Sequence, residues 1–239
     1  MPQHVFFDLD NTLTPSRRPL KADHVPLFSM LCALRDVIIV TGGTVQHIAA
    51  QVGPARNVFV MLAQSGNHAV DTDGTELWCE RLSDPQVVES LRLIELLKQS
   101  FAITVTDEHD LVENRGAQIG YSVIGYHEDA AKKDAFDPDF SRRKEMLAKL
   151  SVEVVRLREV GVEVVPAGSS GYNFTILGKD KGVNVARLIA HKGWDKTDCL
   201  YVGDALGEGE NDYSVVGVIA TKSVEGPDDT FNFIKEMLG

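Results

Sequence analysis

Five short runs of consecutive apolar residues set the strongest limit on how this chain can fold. Each run is bounded by glycine or polar residues, which is typical of strands buried on both faces of a parallel sheet. The runs are His4–Leu9, Val37–Val40, Val58–Leu62, Cys199–Val202 and Val215–Thr221. Helical patterns separate them, at His24–Arg35, Thr44–Gln51, Gly182–His191 and Asp228–Leu238. This alternation predicts an α/β fold with a Rossmann-like, parallel-sheet core.

The middle of the chain has a different pattern. Helical stretches at Asp84–Gln99 and Asp139–Val160 accompany segments rich in β-branched residues. Those segments are Ala102–Thr106, Leu111–Ile124, Glu163–Pro166 and Tyr172–Leu177. Two helices with several such strands predict a separate α+β domain. We therefore expect a core domain of residues 1–81 and 173–239, interrupted by an inserted domain of residues 82–172.

Composition limits the partners and the compartment. The net charge of −11 argues against a nucleic-acid partner, whose phosphates would be repelled. The three cysteines contain no CxxC pair and the seven histidines no HExxH, so we expect reduced thiols and no zinc site. The amino terminus lacks the basic start and apolar stretch of a signal peptide, and no run is long enough to span a membrane. A cytoplasmic protein without a membrane partner is the resulting expectation.

Polar groups follow the predicted strands where ligands bind in open α/β sheets, outside the carboxyl ends of the strands. They are Asp8-Leu9-Asp10-Asn11-Thr12, Thr41-Gly42-Gly43, Lys181 before a helix, Asp204, and Asn211-Asp212. Taken singly, each is weak, because an acid pair, a Thr-Gly-Gly turn or a lysine at a helix start is common. Their occurrence together favours one functional site.

The residue types at these positions suit phosphoryl transfer. Carboxylates from Asp8, Asp10, Asp204 and Asp212 would repel one another without a cation, and oxygen ligands of this kind suit Mg²⁺. A carboxylate can attack phosphorus, and a second acid two residues away can protonate a leaving oxygen and then activate water. A threonine beside backbone N–H groups at a helix start can bind phosphate, and a lysine can neutralise its charge.

The set resembles the haloacid dehalogenase superfamily. DLDNTLT is similar to its DxDGT motif, TGG to its second motif, Lys181 in DKG to its third, and GDALGEGEND to its fourth. The resemblance implies that Asp8 is the nucleophile, Asp10 the general acid and base, and Thr41 and Lys181 the groups that bind the transferring phosphate. It also implies Mg²⁺ held by Asp8, Asp204, Asp212 and the Asp10 backbone carbonyl. The inserted domain resembles the large α/β cap, type IIB, found in sugar phosphatases and phosphomannomutases.

Some features resemble the mutases in particular. The fourth motif has a Gly-rich insert, and LTPSRR and RGAQIGYSVIG resemble stretches that place Arg17 and Arg115 near the sugar phosphate. Other features depart from them. Tyr126 stands where the mutase cap motif ends in arginine, and Asn11 replaces the usual glycine, although asparagine tolerates a left-handed backbone. Taken alone, Arg17 could pair with a surface acid and Arg115 could be an exposed strand residue.

Two enzyme functions and one without catalysis follow from these residues. The favoured one is a Mg²⁺-dependent phosphatase for a small phosphorylated metabolite, in which Thr41, Gly42, Arg17 and Arg115 bind the substrate. A phosphohexomutase of the phosphomannomutase kind is the alternative, and a catalytically silent binding module is the third. Related mutases pair through the cap, so the resemblance leaves a homodimer open.

Overall fold

The computed structural model describes residues 1–53 and 58–239 of the chain. Its strands are β1 (His4–Asp8), β2 (Asp36–Val40), β3 (Val60–Ala63), β4 (His68–Val70), β5 (Glu76–Cys79), β6 (Val112–Asn114), β7 (Gln118–Ser122), β8 (Val162–Ala167), β9 (Gly171–Ile176), β10 (Cys199–Gly203) and β11 (Ala220–Ser223). Its helices are α1 (Val25–Leu34), α2 (Val45–Val52), α3 (Asp84–Phe101), α4 (Ala130–Phe136), α5 (Ser141–Lys149), α6 (Ser151–Glu159), α7 (Lys181–Lys192) and α8 (Pro227–Leu238).

The chain divides into two compact units, one inserted in the other. The first unit comprises Met1–Glu80 and Lys179–Gly239, and the second comprises Arg81–Gly178. The sequence places the end of the inserted domain at residue 172, whereas the second unit runs to Gly178. The physical reason is that β9 is hydrogen-bonded between β7 and β8, so the whole strand belongs to the inserted unit.

The first unit is built on a seven-stranded sheet in the order β11-β10-β1-β2-β3-β4-β5. Strands β11, β10, β1, β2 and β3 pair in parallel, and β4 and β5 extend the sheet antiparallel. The predicted α/β fold with a Rossmann-like parallel core is confirmed. The antiparallel pair was not expected, because its strands are short and carry histidine, glutamate and tryptophan in place of an apolar run.

Both faces of this sheet are covered, which explains the continuous apolar runs. Along β1, Val5 and Phe7 belong to one core cluster and Phe6 to another. Residues of α1, α2 and α8 complete the first cluster, and residues of α7 complete the second. Because side chains alternate along a strand, a strand buried on both faces needs apolar residues at every position.

The fifth predicted strand is displaced toward the C-terminus. The run Val215–Thr221 was expected to contain it, but β11 begins at Ala220. Tyr213–Val215 forms a 3-10 turn instead, and Gly217 follows with a φ of 86° that redirects the chain. Asp212, at the start of this turn, stays close to the end of β10, because its N–H donates to the Ala205 carbonyl at 2.9 Å.

The second unit has its own antiparallel sheet in the order β6-β7-β9-β8 and its own apolar core. The predicted helix over Asp139–Val160 is two helices, α5 and α6, which meet at Leu150. The expected strand Ala102–Thr106 does not form. Ala102 ends α3 in a left-handed conformation with a φ of 49°, which diverts the chain from an extended path.

Arg143 corrects the sequence-based expectation that Arg142–Lys144 is a solvated face. Its side chain is 0% exposed and forms a 2.8 Å ion pair with Asp137. It also donates to the carbonyls of Ala167, Gly168 and Gly171. Thus a buried guanidinium ties α5 to the β8–β9 connection.

Among the described residues, no helix is both long enough and apolar enough to cross a membrane.

Candidate active site

The end of β1 and the tight turn that follows it present two acids. Asp8 ends the strand, and Asn11 N–H donates to the Thr14 carbonyl at 2.7 Å to close the turn. Asn11 has a φ of 60°, the left-handed conformation that the sequence allowed for asparagine. Oδ1 of Asp10 accepts the backbone N–H of Arg17 at 2.6 Å, which fixes the carboxylate over the turn.

Lys181 is the first residue of α7 and points into the same cluster. The helix is capped by Asp180, whose side chain accepts the Val183 N–H at 2.9 Å. The buried Lys181 ammonium donates to Oδ1 of Asp8 at 2.5 Å and to Oδ1 of Asp212 at 2.6 Å. Gly182 lets the start of α7 pack against the Ser214 backbone, since a Cβ there would lie 1.9 Å from the Ser214 carbonyl oxygen.

Two further acids complete the group. Asp204 follows β10, and its Oδ1 accepts the Thr12 hydroxyl at 2.9 Å, while its own N–H donates to Thr12 Oγ1 at 3.1 Å. Asp212 is fully buried, and its Oδ1 accepts the Tyr201 hydroxyl at 2.8 Å. The ligand oxygens of Asp8, Asp204 and Asp212 lie within 4.8 Å of one another.

The electrostatics of this cluster favour an added cation. Burial raises the pKa of the Asp8 carboxyl well above its ordinary value; Asp212 and Asp204 act in the same direction, and Lys181 opposes them. Burial also raises the pKa of Asp204. Burial alone would lower the pKa of Lys181, but Asp212 and Asp8 outweigh it and raise that pKa. The three carboxylates and the Lys181 ammonium together leave two excess negative charges when all four groups are ionised.

The donor set fits a hard divalent cation. Oδ2 of Asp212 is buried and accepts no hydrogen bond from the part of the chain that the structure describes. A Cβ on residue 203 would lie 2.4 Å from that oxygen, so Gly203 keeps the space beside it open. A buried carboxylate oxygen without a partner is costly, and an ion bound to it would remove that cost. An all-oxygen set of this kind suits Mg²⁺.

The second strand brings Thr41 to this edge of the sheet, but its loop differs from the expected phosphate cradle. Thr41 N–H donates to the Leu62 carbonyl at 3.0 Å, and Gly43 N–H donates to Thr41 Oγ1 at 3.1 Å. Thr44 is the predicted N-cap of α2, with its N–H donating to the His47 ring at 3.2 Å. The backbone N–H groups of Thr41, Gly43 and Thr44 are thus engaged within the chain, and Thr41 Oγ1 acts as an acceptor. Gly42 lies in the same loop.

The two arginines are in different units of the chain. Arg17 is exposed in the first unit and has a φ of 54°. Arg115 follows β6 in the second unit, where its largely buried guanidinium pairs with Glu113 at 2.6 Å. The guanidinium carbon also lies 5.7 Å from the centre of the Tyr126 ring. Arg115 is therefore not the exposed strand residue that the sequence alone allowed.

Sequence reasoning missed the roles of Thr12 and Tyr201. Thr12 could have been found, since it lies in the motif with Asp8 and Asp10 and is polar in an apolar context. Tyr201 gave no signal, because an aromatic residue within an apolar run is typical of a packing residue. Its hydroxyl reaches Asp212 only through the turn after β10.

The parallel-sheet core with an inserted α/β unit is a haloacid dehalogenase-like fold. No family model matches the chain. A phosphomannomutase from Arabidopsis thaliana is 24% identical over an alignment 244 positions long, which covers 94% of this chain and 92% of that protein.

Two solved structures with similar folds are each 13% identical to this chain. An IMP-bound, N-terminally truncated IMP-nucleotidase from Plasmodium falciparum gives a TM-score of 0.67 over 99% of this chain and 68% of that one. A haloacid dehalogenase-like hydrolase from Bacteroides thetaiotaomicron gives 0.62 over 99% and 100%. The expected haloacid dehalogenase-like fold is confirmed.

Proposed function

We propose that the chain is a Mg²⁺-dependent phosphatase that hydrolyses a small phosphorylated metabolite, of the sugar phosphate class, through an aspartyl phosphate on Asp8. One observation carries the proposal. Asp8, at the carboxyl end of a central strand, lies 2.5 Å from a buried ammonium and beside two further carboxylates. A structural ion pair needs one acid for one base, whereas this cluster keeps three acids around Lys181.

The cation would be held by Asp8, Asp204 and Asp212, and the resemblance adds the Asp10 backbone carbonyl. When bound, Mg²⁺ supplies the positive charge that lets a phosphate dianion approach these carboxylates. Thr12 holds Asp204 in place through two hydrogen bonds, and Lys181 with Tyr201 holds Asp212. The chain thus fixes the carboxylates before the ion arrives.

The first half-reaction transfers the phosphoryl group to the chain. A carboxylate oxygen of Asp8 attacks phosphorus, and the bond from phosphorus to the ester oxygen breaks. Asp10 gives its proton to the leaving oxygen. Lys181 and the Thr41 hydroxyl donate to the transferring group and offset its charge.

The second half-reaction restores the enzyme. Asp10, now a carboxylate, takes a proton from water as the water oxygen attacks the aspartyl phosphate. The bond between phosphorus and the Asp8 oxygen breaks, which releases inorganic phosphate. Asp8 ends as a carboxylate and Asp10 as an acid, so a new cycle can start.

A phosphohexomutase is the second candidate, supported by the similarity to a phosphomannomutase along 94% of the chain. In that reaction the sugar would turn over and take the phosphoryl group back at another hydroxyl. Such an enzyme needs cations for phosphates at both ends of the sugar. Arg115 is paired with Glu113, and Tyr126 stands where a mutase would have a second cap arginine, which favours hydrolysis. The intact set of Asp8, Asp10 and Lys181 argues against a silent module.

Product analysis separates these functions. Purified protein with Mg²⁺ would be incubated with mannose 1-phosphate, with and without a catalytic amount of hexose bisphosphate. We expect inorganic phosphate to appear without mannose 6-phosphate, and substrate screening on other sugar phosphates would follow. Mannose 6-phosphate that accumulates and is stimulated by the bisphosphate would establish the mutase. If neither inorganic phosphate nor an isomerised sugar phosphate forms from any phosphomonoester, and the protein does not bind Mg²⁺, both the phosphatase and the mutase proposals are wrong.

A further inference from the structure

The antiparallel hairpin of β4 and β5 gathers a second group of metal-ligating side chains. His68 and Cys79 are direct partners across the two strands, so both project from one face of the sheet. The opposite face of β5 is anchored, because the Trp78 indole N–H donates to the Gly66 carbonyl at 2.8 Å. The direction of Cys79 is therefore set by the sheet.

An irregularity in β5 adds a third ligand to this face. Along a regular strand, Glu76 would project from the face opposite to Cys79, since the two are three residues apart. The pairing instead passes from Ala69–Trp78 to Val70–Glu76 and skips Leu77. Such a β-bulge redirects a side chain, and bulges are frequent next to functional sites. Here it turns Glu76 toward His68 and Cys79.

The three side chains meet at ligand distance. An imidazole nitrogen of His68, a carboxylate oxygen of Glu76 and the Cys79 sulfur lie within 4.8 Å of one another. Nε2 of His68 is 3.1 Å from Oε2 of Glu76, and their side chains are 20% and 58% exposed. The group is thus open to an ion from solvent. An ion pair between His68 and Glu76 alone would not account for the Cys79 thiol beside them or for the bulge that turns Glu76 to this face.

We propose that His68, Glu76 and Cys79 form a binding site for a borderline divalent cation of the zinc type, with a coordination position left for water or an outside ligand. The set of one nitrogen, one oxygen and one sulfur ligand selects such an ion over Mg²⁺ or Ca²⁺, which prefer oxygen alone. Three protein ligands with one open position are the number found in zinc sites that exchange ligands.

This site is separate from the acid cluster and does not depend on the proposed function. β5 forms one edge of the seven-stranded sheet and lies four strand positions from β1. At about 4.8 Å per strand, that is roughly 19 Å. The two sites also differ in ligands, because the acid cluster contains no sulfur. Binding of the ion to the Cys79 sulfur would displace the thiol proton.

Cobalt is a suitable probe, because a cobalt–thiolate bond gives a near-ultraviolet charge-transfer absorption that oxygen ligands do not. The full chain, stripped with chelator and kept reduced, would be titrated with Co²⁺ in excess Mg²⁺. We expect a saturable thiolate absorption that stoichiometric Zn²⁺ removes. Cys79→Ser should abolish it, and His68→Gln should weaken Co²⁺ binding at least tenfold.

Cys32→Ser is the matched control. Burial raises the pKa of the Cys32 thiol to about 12, so it is a poor source of thiolate, and the control should keep the absorption. Circular dichroism of each variant checks that the fold is retained. No thiolate absorption in the wild-type chain, or an absorption that survives Cys79→Ser, would overturn the proposal.

Discussion

Tyr201 and Lys181 hold the same oxygen of Asp212. The Tyr201 hydroxyl donates to Oδ1 at 2.8 Å and the Lys181 ammonium at 2.6 Å, while Oδ2 accepts nothing from the described residues. This asymmetry leaves one oxygen held by the protein and the other without a partner among those residues. Under the proposed function, Tyr201 is a positioning residue for the proposed Mg²⁺ site.

Replacing Tyr201 with phenylalanine should therefore weaken metal binding more than catalysis. Loss of one outer hydrogen bond to a metal ligand reduces affinity by about 10- to 100-fold. We expect a higher Mg²⁺ requirement and a kcat near the wild-type value at saturating Mg²⁺. Mn²⁺ binding followed by electron paramagnetic resonance gives the affinity without turnover. Tyr213→Phe, at an exposed neighbour, is the control; equal affinities for Tyr201→Phe and wild type would contradict the role.

Asp8→Asn should abolish turnover without unfolding the chain. The amide has nearly the shape of the carboxylate but is not a nucleophile toward phosphorus. Loss of at least about a thousandfold in kcat is expected, in line with removal of other covalent nucleophiles. Release of phosphate from an aryl phosphate measures it, and thermal unfolding checks the fold. A fully active Asp8→Asn variant would rule out the aspartyl phosphate.

Lys181→Met should destabilise the chain most when no divalent cation is present. The change leaves Asp8 and Asp212 buried without their ammonium, and breaking a buried pair in this way costs about 3–5 kcal/mol. Added Mg²⁺ should recover part of the loss, because it supplies replacement charge. Urea unfolding in chelator and in Mg²⁺ gives both values. Lys149→Met, from an exposed pair with Glu145, should change stability by less than about 1 kcal/mol in either condition. Equal stability of wild type and Lys181→Met in chelator would refute the charge argument.

Glu80→Gln should lower stability at neutral pH but not in acid. Burial by itself would raise the pKa of Glu80, but hydrogen bonds from Arg187 and Lys179 outweigh it and lower the pKa below 4.5. The folded pKa is then below the unfolded one, so the stabilisation is present above about pH 4.5 and is lost as the pH falls through the folded value. The exposed pairs limit the effect to about 0.5–1 kcal/mol. Urea unfolding at a series of pH values from 7 downward tests this, with Glu236→Gln as control; a stability difference that does not shrink as the pH falls below 4.5 would exclude the ion pairs as its source.

Arg143→Met should loosen the inserted unit selectively. It leaves Asp137 buried without its cation and three carbonyls without their donor, at a cost of about 3–5 kcal/mol. Hydrogen exchange should rise across Arg81–Gly178 and remain unchanged in the β1–β2 region. The neighbouring Arg142→Met is the control, since Arg142 is exposed and its guanidinium lies over the Phe136 and Phe101 rings. Similar exchange in both variants would show that the buried contacts are not needed.

The terminal parts of the chain could be predicted because burial on both sheet faces leaves a strong sequence signal. The runs around Phe6 and Ile38 are apolar at every position, and the polar residues that follow them must lie at one edge of the sheet. The left-handed conformation of Asn11 was also predictable from its side chain. For these elements, local chemistry and tertiary position agree.

Other features depend on partners that are distant in sequence. Arg143 lies in a run of basic residues that predicts a solvated helix face, and only the backbone of residues 167–171 explains its burial. The hairpin residues His68, Glu76 and Cys79 have no motif spacing, because strand pairing brings His68 next to Cys79 and a bulge turns Glu76 toward them. Tyr201 lies within an apolar run, so the sequence does not indicate that its hydroxyl bonds Asp212.

Asp8 and Lys181 are separated by 173 positions in the chain, with the whole inserted unit between them. A ribosome that adds about 5–20 residues per second makes Lys181 roughly 9 to 35 seconds after Asp8. The inserted unit has all its strands once Ile176 is made, so it can fold while the parallel sheet still lacks β10. The acid cluster has to wait for Asp204 and Asp212, so a nascent chain has its inserted unit before it has the complete cluster.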